Sequence, residues 1–305
     1  MRKVIQRSLG GPEVLEVTEV AVPEPGMTEV LVEVRAAGVN PVDWKVRQGG
    51  LGHLPFSIGW DVSGVVSAVG PGVTRFKVGD EVFGMPRFPL EAGTYAEFVT
   101  GPSRHFALKP TGMSHVQAAG LSLAGLTAWQ ALISTAGLAS EQRVLIPAGA
   151  GGVGHLAVQI AKSRGAYVIA TASAAKHDFV RGLGADEVIH YRGADVGLQM
   201  SGVDALVATV AGQLQELERT LSPGGWVIAL NGADAEVVQR LSSRGLRAVF
   251  MLVEPDRADL ESLAALVRSG ALTVHVDKVF SLEQVAKAHQ LGEEGQAMGK
   301  IILTP

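Results

Sequence analysis

Hydrophobic and polar positions along this chain follow two rhythms. Across residues 1–110 they alternate in short, turn-bounded runs. Glu13–Val22 and Glu29–Val34 flank Pro23-Glu24-Pro25-Gly26 and predict two half-buried antiparallel strands; further strands are expected at Asp61–Val69, Glu81–Phe83 and Tyr95–Val99. From residue 143 onward, wholly apolar runs alternate with stretches of helical period. Val144–Ile146 predicts a buried strand, and Val153, Leu156, Ala157, Ile160 and Ala161 line one face of a helix that Gly165 stops. Tyr167–Ala170 then predicts a second strand. The rhythm continues with a helix at Ala175–Leu183, strands at Glu187–His190 and Ala205–Thr209, and a helix at Gln213–Thr220. Strands at Trp226–Asn231 and near Leu246–Val253, a helix at Asp259–Ser269, and strands near His275 and Ile301 close the chain. Many short strands followed by strand–helix alternation predict an α/β protein of two domains.

Between the two rhythms, Val116–Ser140 carries no charge and is long enough to span a bilayer. Yet Gln117, Gly120, Ser122, Gly125, Thr127, Gln130, Ser134 and Gly137 interrupt it, and neither flank is basic, so two short buried helices are expected.

The join at residues 146–154 carries the clearest chemistry. Gly149, Gly151 and Gly154 are spaced G-x-G-x-x-G between a strand and a helix, the context in which that spacing binds a dinucleotide. The first glycine is expected to allow the sharp turn, the second the approach of a pyrophosphate, and the third close packing of helix on strand. The helix N-terminus, with Gly152 and Val153, would face the phosphates. A tight turn without ligand is the plainer use of the same glycines. After the second strand, where a carboxylate would hold the ribose 2′-hydroxyl of NAD, stand Thr171, Ala172 and Ser173, with Lys176 beyond. A hydroxyl and an ammonium suit a 2′-phosphate, so NADPH is the expected cofactor. Otherwise Ser173 caps a helix and Lys176 is a solvated charge.

Composition narrows the partners. Of 305 residues 47% are hydrophobic and 18% charged, which excludes a disordered chain despite 38 glycines. A formal net charge of −4 gives no reason to expect nucleic acid or an anionic membrane as partner. The absence of cysteine removes disulfides, thiolate chemistry and Cys-ligated zinc. His53, His105 and His155 have no metal-ligand spacing, so no metal is expected. The N-terminus lacks an apolar signal segment, and a cytoplasmic location is expected.

A set of ordered motifs covers essentially the whole chain: GVNPVDWKVRQG (38–49), GWDVSGVVSAVG (59–70), FKVGDEVFG (76–84), GTYAEFV (93–99), LAGLTAWQAL (123–132), the glycine turn 148–154, LGADEVIHY (183–191), SPGGWVIALNG (222–232) and MGKIIL (298–303). Together they resemble the medium-chain dehydrogenase/reductases, in their zinc-independent, quinone oxidoreductase-like branch. The resemblance implies a GroES-like β-rich substrate domain over residues 1–118, with a return segment 272–305. It implies a Rossmann domain of doubly wound parallel sheet over 119–271, with substrate between the two. Where zinc relatives carry a catalytic Cys this chain has Asn40, and where they carry Gly-His-Glu it has Gly59-Trp60-Asp61.

Without a metal, the acceptor must already be electrophilic, which points to a quinone or an α,β-unsaturated carbonyl, and a donor must meet the developing oxyanion. The resemblance makes Lys45 and Asn40 candidates for that donor, with Tyr95 beside them. Each has a plainer use: Asn40 as a turn before Pro41, Lys45 solvated or paired with Asp43 or Asp61, and Tyr95 as strand filling. The resemblance places Tyr191 with Ser173 and Lys176 at the 2′-phosphate, Thr127 and Asn231 near the nicotinamide and its ribose, and Lys300 near phosphate or nicotinamide. A solvated Lys300 explains its sequence equally well. Residues 250–254 are expected to border the substrate. A homodimer joined through the Rossmann sheet is expected. A trans-acting enoyl reductase, or an NADPH-binding protein with little turnover, remains as an alternative function.

Overall fold

The computed structural model describes residues 1–49, 53–192, 195–210, 213–230 and 235–305. These fall into two compact units, one of Met1–Leu126, Glu254–Ser269 and Val274–Pro305, the other of Thr127–Val253 and Gly270–Thr273.

The first unit opens with β1 (Arg2–Gln6) and β2 (Leu15–Glu19), which pair antiparallel as a ribbon of their own. This corrects the expected pairing across Pro23–Gly26: β3 (Glu29–Val39) joins a different sheet. Pro23 and Pro25 lack the N–H groups that would continue a ladder, so the connection leaves the ribbon instead of closing a hairpin. After β3 comes α1 (Pro41–Gly49), a helix that the periodic reading does not single out. The unit continues with β4 (Val62–Val69), β5 (Glu81–Gly84), β6 (Phe98–Pro102) and β7 (Phe106–Leu108). Tyr95, expected inside a strand, precedes β6. Val30, Val32, Val34, Val62, Val66, Val82, Val99 and Phe106 form the apolar core that these strands close over.

The uncharged stretch folds as α2 (His115–Ala119), closed by a Ser114/Gln117 capping box, and α3 (Ser122–Trp129), which runs on as a π-helical turn at Gln130–Thr135. No helix among the described residues is long and apolar enough to cross a membrane.

The second unit alternates β8 (Arg143–Ile146), α4 (Gly154–Ser163), β9 (Tyr167–Ala172), α5 (His177–Gly182), β10 (Glu187–His190), β11 (Val203–Ala208), α6 (Leu214–Leu217), β12 (Leu221–Ala229), α7 (Ala235–Ser243) and β13 (Arg247–Phe250). The strands form one parallel sheet in the order β10-β9-β8-β11-β12-β13. Numbered from β8, that order is 3-2-1-4-5-6, the doubly wound arrangement whose ligand crevice opens at the carboxyl ends of the first and fourth strands. The turn after β8 lies at that reversal.

The return to the first unit brings α8 (Arg257–Arg268), β14 (Val276–Ser281), α9 (Val285–Glu293) and β15 (Lys300–Thr304). β15 pairs antiparallel with β3, with Ile301 opposite Val39, and parallel with β14. That register carries the residue before Ile301 to the residue after Val39, so Lys300 and Asn40 meet although 260 positions separate them.

Candidate functional site

In the second unit the glycine turn is built as its spacing predicts, with one exchange of roles. The residue in the left-handed region is Ala148, at φ 51°, and not Gly149. Gly149 instead permits close approach, since a Cβ there would lie 2.8 Å from the Ala170 Cβ and 3.2 Å from Val180 Cγ1. Gly154 does the same for the helix: a Cβ would meet the Ala148 carbonyl oxygen at 2.1 Å. Gly151 is less crowded, though a Cβ there would still press on the Ala148 carbonyl oxygen at 3.2 Å. The turn is pinned to β9 by Gly149 N–H donating to the Thr171 carbonyl (2.8 Å) and Ala148 N–H donating to Thr171 Oγ1 (3.2 Å). The N-terminus of α4 has no side-chain cap. A close-packed glycine cradle, an uncapped helix end and the absence of a carboxylate from 171–177 together fit a phosphate-bearing dinucleotide.

Around that turn, Ser173 stands extended after β9, and Lys176 and Tyr191 are half-buried. The Arg192 guanidinium lies 5.6 Å from the Tyr191 ring centroid, and the His190 ring centroid is 6.1 Å from the same ring. Thr127 is buried within α3. Asn231 lies outside the described residues.

In the first unit a buried polar cluster gathers residues from five segments. The Asn40 Nδ2 donates to Asp61 Oδ2 (2.8 Å), while its Oδ1 accepts from Lys300 Nζ (2.5 Å). Lys300 also donates to the Val39 carbonyl (3.3 Å) and pairs with Asp61 Oδ2 (3.4 Å), so its three protons face three acceptors. It is 3% exposed, and the solvated alternative is thereby excluded. Gly38 makes the cluster possible, because a Cβ there would lie 2.6 Å from Asp61 Oδ2.

Asp43, in the first turn of α1, accepts from Asn40 N–H (2.6 Å) and from the Tyr95 hydroxyl (2.7 Å) through the same Oδ2. Tyr95 has no exposed surface, and Gly59, at φ 101°, spares its ring a Cβ that would stand 2.5 Å from Cδ1. Burial, with the Asp43 charge beside it, lifts the Tyr95 hydroxyl well above its ordinary range. Burial pushes the Asp43 carboxyl up to about 7 against the pull of Tyr95 and Asn40, and raises Asp61 against the pull of Lys300.

Behind Tyr95, the ring of His289 stands edge-on at 5.9 Å. Arg47, wholly buried, bonds His289 Nδ1 (3.0 Å), the Glu293 carboxylate (2.7 Å) and the Gly10 carbonyl (3.0 Å). Because a guanidinium only donates, His289 is neutral with its proton on Nε2. Burial first and Arg47 second hold it down at about 3.

Thus Asn40, Tyr95 and Lys300 meet in one cluster, while Lys45 is exposed on α1. Asp43, Arg47 and His289 were not foreseen. Only Asp43 left a signal, an acid three positions after Asn40 and two after a helix-starting proline.

The second unit has the doubly wound sheet of nucleotide-binding oxidoreductases, and the β-rich first unit with its returning strand completes a two-domain reductase class. Residues 26–128 match the alcohol dehydrogenase GroES-like domain, and residues 183–303 match the family described as zinc-binding dehydrogenase. The chain belongs to the medium-chain dehydrogenase/reductases, in the quinone oxidoreductase-like branch. It is 35% identical over 315 residues to the chloroplast envelope quinone oxidoreductase homolog of Arabidopsis thaliana, covering 97% of this chain and 95% of that one. It is 34% identical over 319 residues to the NADPH-dependent alkenal/one oxidoreductase of the same plant's chloroplast, covering 100% and 80%. Among solved structures, the quinone oxidoreductase from Coxiella burnetii superposes with a TM-score of 0.95 at 34% identity, covering 100% and 99%.

The zinc in the matched family's description does not fit these residues. The chain has no cysteine, and among the described residues no group of three His, Cys, Asp or Glu could hold a metal. At Asn40 and Asp61, the Lys300 ammonium already faces both side chains and would repel a divalent cation.

Proposed function

We propose that this protein is an NADPH-dependent reductase of α,β-unsaturated carbonyls and quinones that works without a metal. The observation carrying the reading is full-length similarity to a named quinone oxidoreductase homolog and a named alkenal/one oxidoreductase, together with a glycine cradle that fits a dinucleotide. When bound, NADPH supplies a hydride to the acceptor carbon. The chain's part is to hold the two reactants and to meet the negative charge that develops on the acceptor oxygen. Lys45 is our choice of donor to that oxygen, on the strength of its place in the Asn40-Pro41-Val42-Asp43-Trp44-Lys45 segment that the family resemblance sets beside the substrate. Ser173, Lys176 and Tyr191 are assigned to the 2′-phosphate, which favours NADPH over NADH. A homodimer through the edge of the parallel sheet completes the proposal.

The test is NADPH consumption with a short enone, a benzoquinone, an enoyl thioester and a saturated ketone. Turnover of the first two and not the ketone is expected. A preference for the enoyl thioester would move the assignment to enoyl reduction, and no turnover with any acceptor would contradict reductase activity.

A further inference from the structure

Asp43 is the point where the buried cluster touches helix α1. One of its oxygens, Oδ2, takes both the Asn40 N–H that opens the helix and the Tyr95 hydroxyl, whereas Oδ1 is buried and has no hydrogen-bond partner. A carboxylate so placed makes two charge-assisted bonds at one atom, and adding a proton at Oδ1 leaves both bonds in place but weaker. We propose that Asp43 is a positioning residue whose charge state sets how firmly the first turn of α1, with Asn40 at its start and Lys45 beyond, is held for the reduction. The proposal rests on the reductase reading for its effect on turnover, but not for the titration itself.

The groups that face Asp43 decide when it charges. Asp61, preceding β4, opposes its ionisation, and Lys300, from β15, favours it. Tyr95 and the Asn40 N–H favour the charged form by donating to it. On the far side of the Tyr95 ring, His289 from α9 is neutral, and Arg47, on the same helix as Asp43, is paired with Glu293. With burial dominant, the carboxyl titrates at about 7, within reach of small changes around neutral pH. The sign for stability follows. A carboxyl raised above its unfolded value contributes stability at acid pH that is lost as pH rises through about 7. Turnover should move the opposite way, rising as Asp43 ionises and tightens its two bonds.

The experiment compares the parent with Asp43→Asn, Tyr95→Phe and Asp61→Asn, measuring kcat for an enone at saturating NADPH and the thermal midpoint of the protein alone, each from pH 5.5 to 9. The parent should lose turnover on the acid side of a midpoint near neutrality, and Asp43→Asn, which keeps the shape but cannot ionise, should flatten that limb. Tyr95→Phe should move the midpoint up and Asp61→Asn should move it down, opposite shifts that a merely structural role would not produce. The difference in thermal midpoint, Asp43→Asn minus parent, should grow from pH 5.5 to about 7 and level off above it. A pH-independent difference in the thermal midpoints would overturn the proposal even in a protein without turnover on any acceptor, a result that by itself would count only against the reductase reading. A parent limb that survives Asp43→Asn unchanged would overturn it as well.

Discussion

At Lys45 and Lys176 the plainer use of an ammonium, solvation, competes with a functional one, and both residues lie where water can reach them. If Lys45 meets the oxyanion, Lys45→Ala removes a donor worth about 3–4 kcal/mol in the transition state, so enone turnover should fall roughly a hundredfold or more while NADPH affinity holds. The quinone, needing less activation, should suffer less. Turnover within a few fold of the parent would return Lys45 to the surface charges. For Lys176, a charge-assisted bond to the 2′-phosphate contributes about 1.5–3 kcal/mol, so Lys176→Ala should raise the NADPH dissociation constant about tenfold or more and leave that of NADH unchanged. Equal losses for both nucleotides would remove the phosphate contact. At this scale the sequence was legible where chemistry and spacing are local, as in the three glycines. It was not legible at Lys300, whose role as an internal counter-ion depends on a strand register that joins the two ends of the chain. His289 and Arg47 gave no sign because neither belongs to a local pattern; burial and mutual contact define them.

Elements were legible in proportion to their periodicity. The strands of the parallel sheet lie close to where their sequence predicts them, most plainly β8, β9 and β11, which are buried along most of their length, and β10 matches its expected bounds. Helices α7 and α9 escaped the reading, as did α1, whose nine residues hide a buried acid and a buried Arg on what looks like a polar stretch. One element carries a prediction of its own. β13 ends the parallel sheet and, among the described residues, pairs only with β12; Phe250 and Leu252 beside it are 43% and 51% exposed. An apolar edge of this kind favours pairing with a second copy across a two-fold axis. Light scattering at micromolar concentration should therefore give the mass of a dimer, and a strictly monomeric mass would contradict that use of the edge.

For the molecule as a whole, two chemistries are kept in separate parts of the chain. The cradle at 148–154 fits a dinucleotide through backbone and missing side chains. The cluster around Asn40 and Asp61 sets the Lys300 ammonium against Asn40 Oδ1 and Asp61 Oδ2. The sequence conveyed the α/β class and the family, because motifs in fixed order survive where single residues do not; it did not convey that Glu254–Ser269 groups with the first unit. It could not convey that the substituted positions had closed upon themselves. That closure means that activation of the acceptor must come from outside the cluster, so hydride passes directly to a carbon that is already electrophilic. The most direct measurement supplies NADPH carrying deuterium at the transferable C4 position, together with an enone, and locates the label in the saturated product. The account predicts one deuterium at the β-carbon and a proton from water at the α-carbon. An allylic alcohol with deuterium on the former carbonyl carbon, or a product without deuterium from the cofactor, would contradict it.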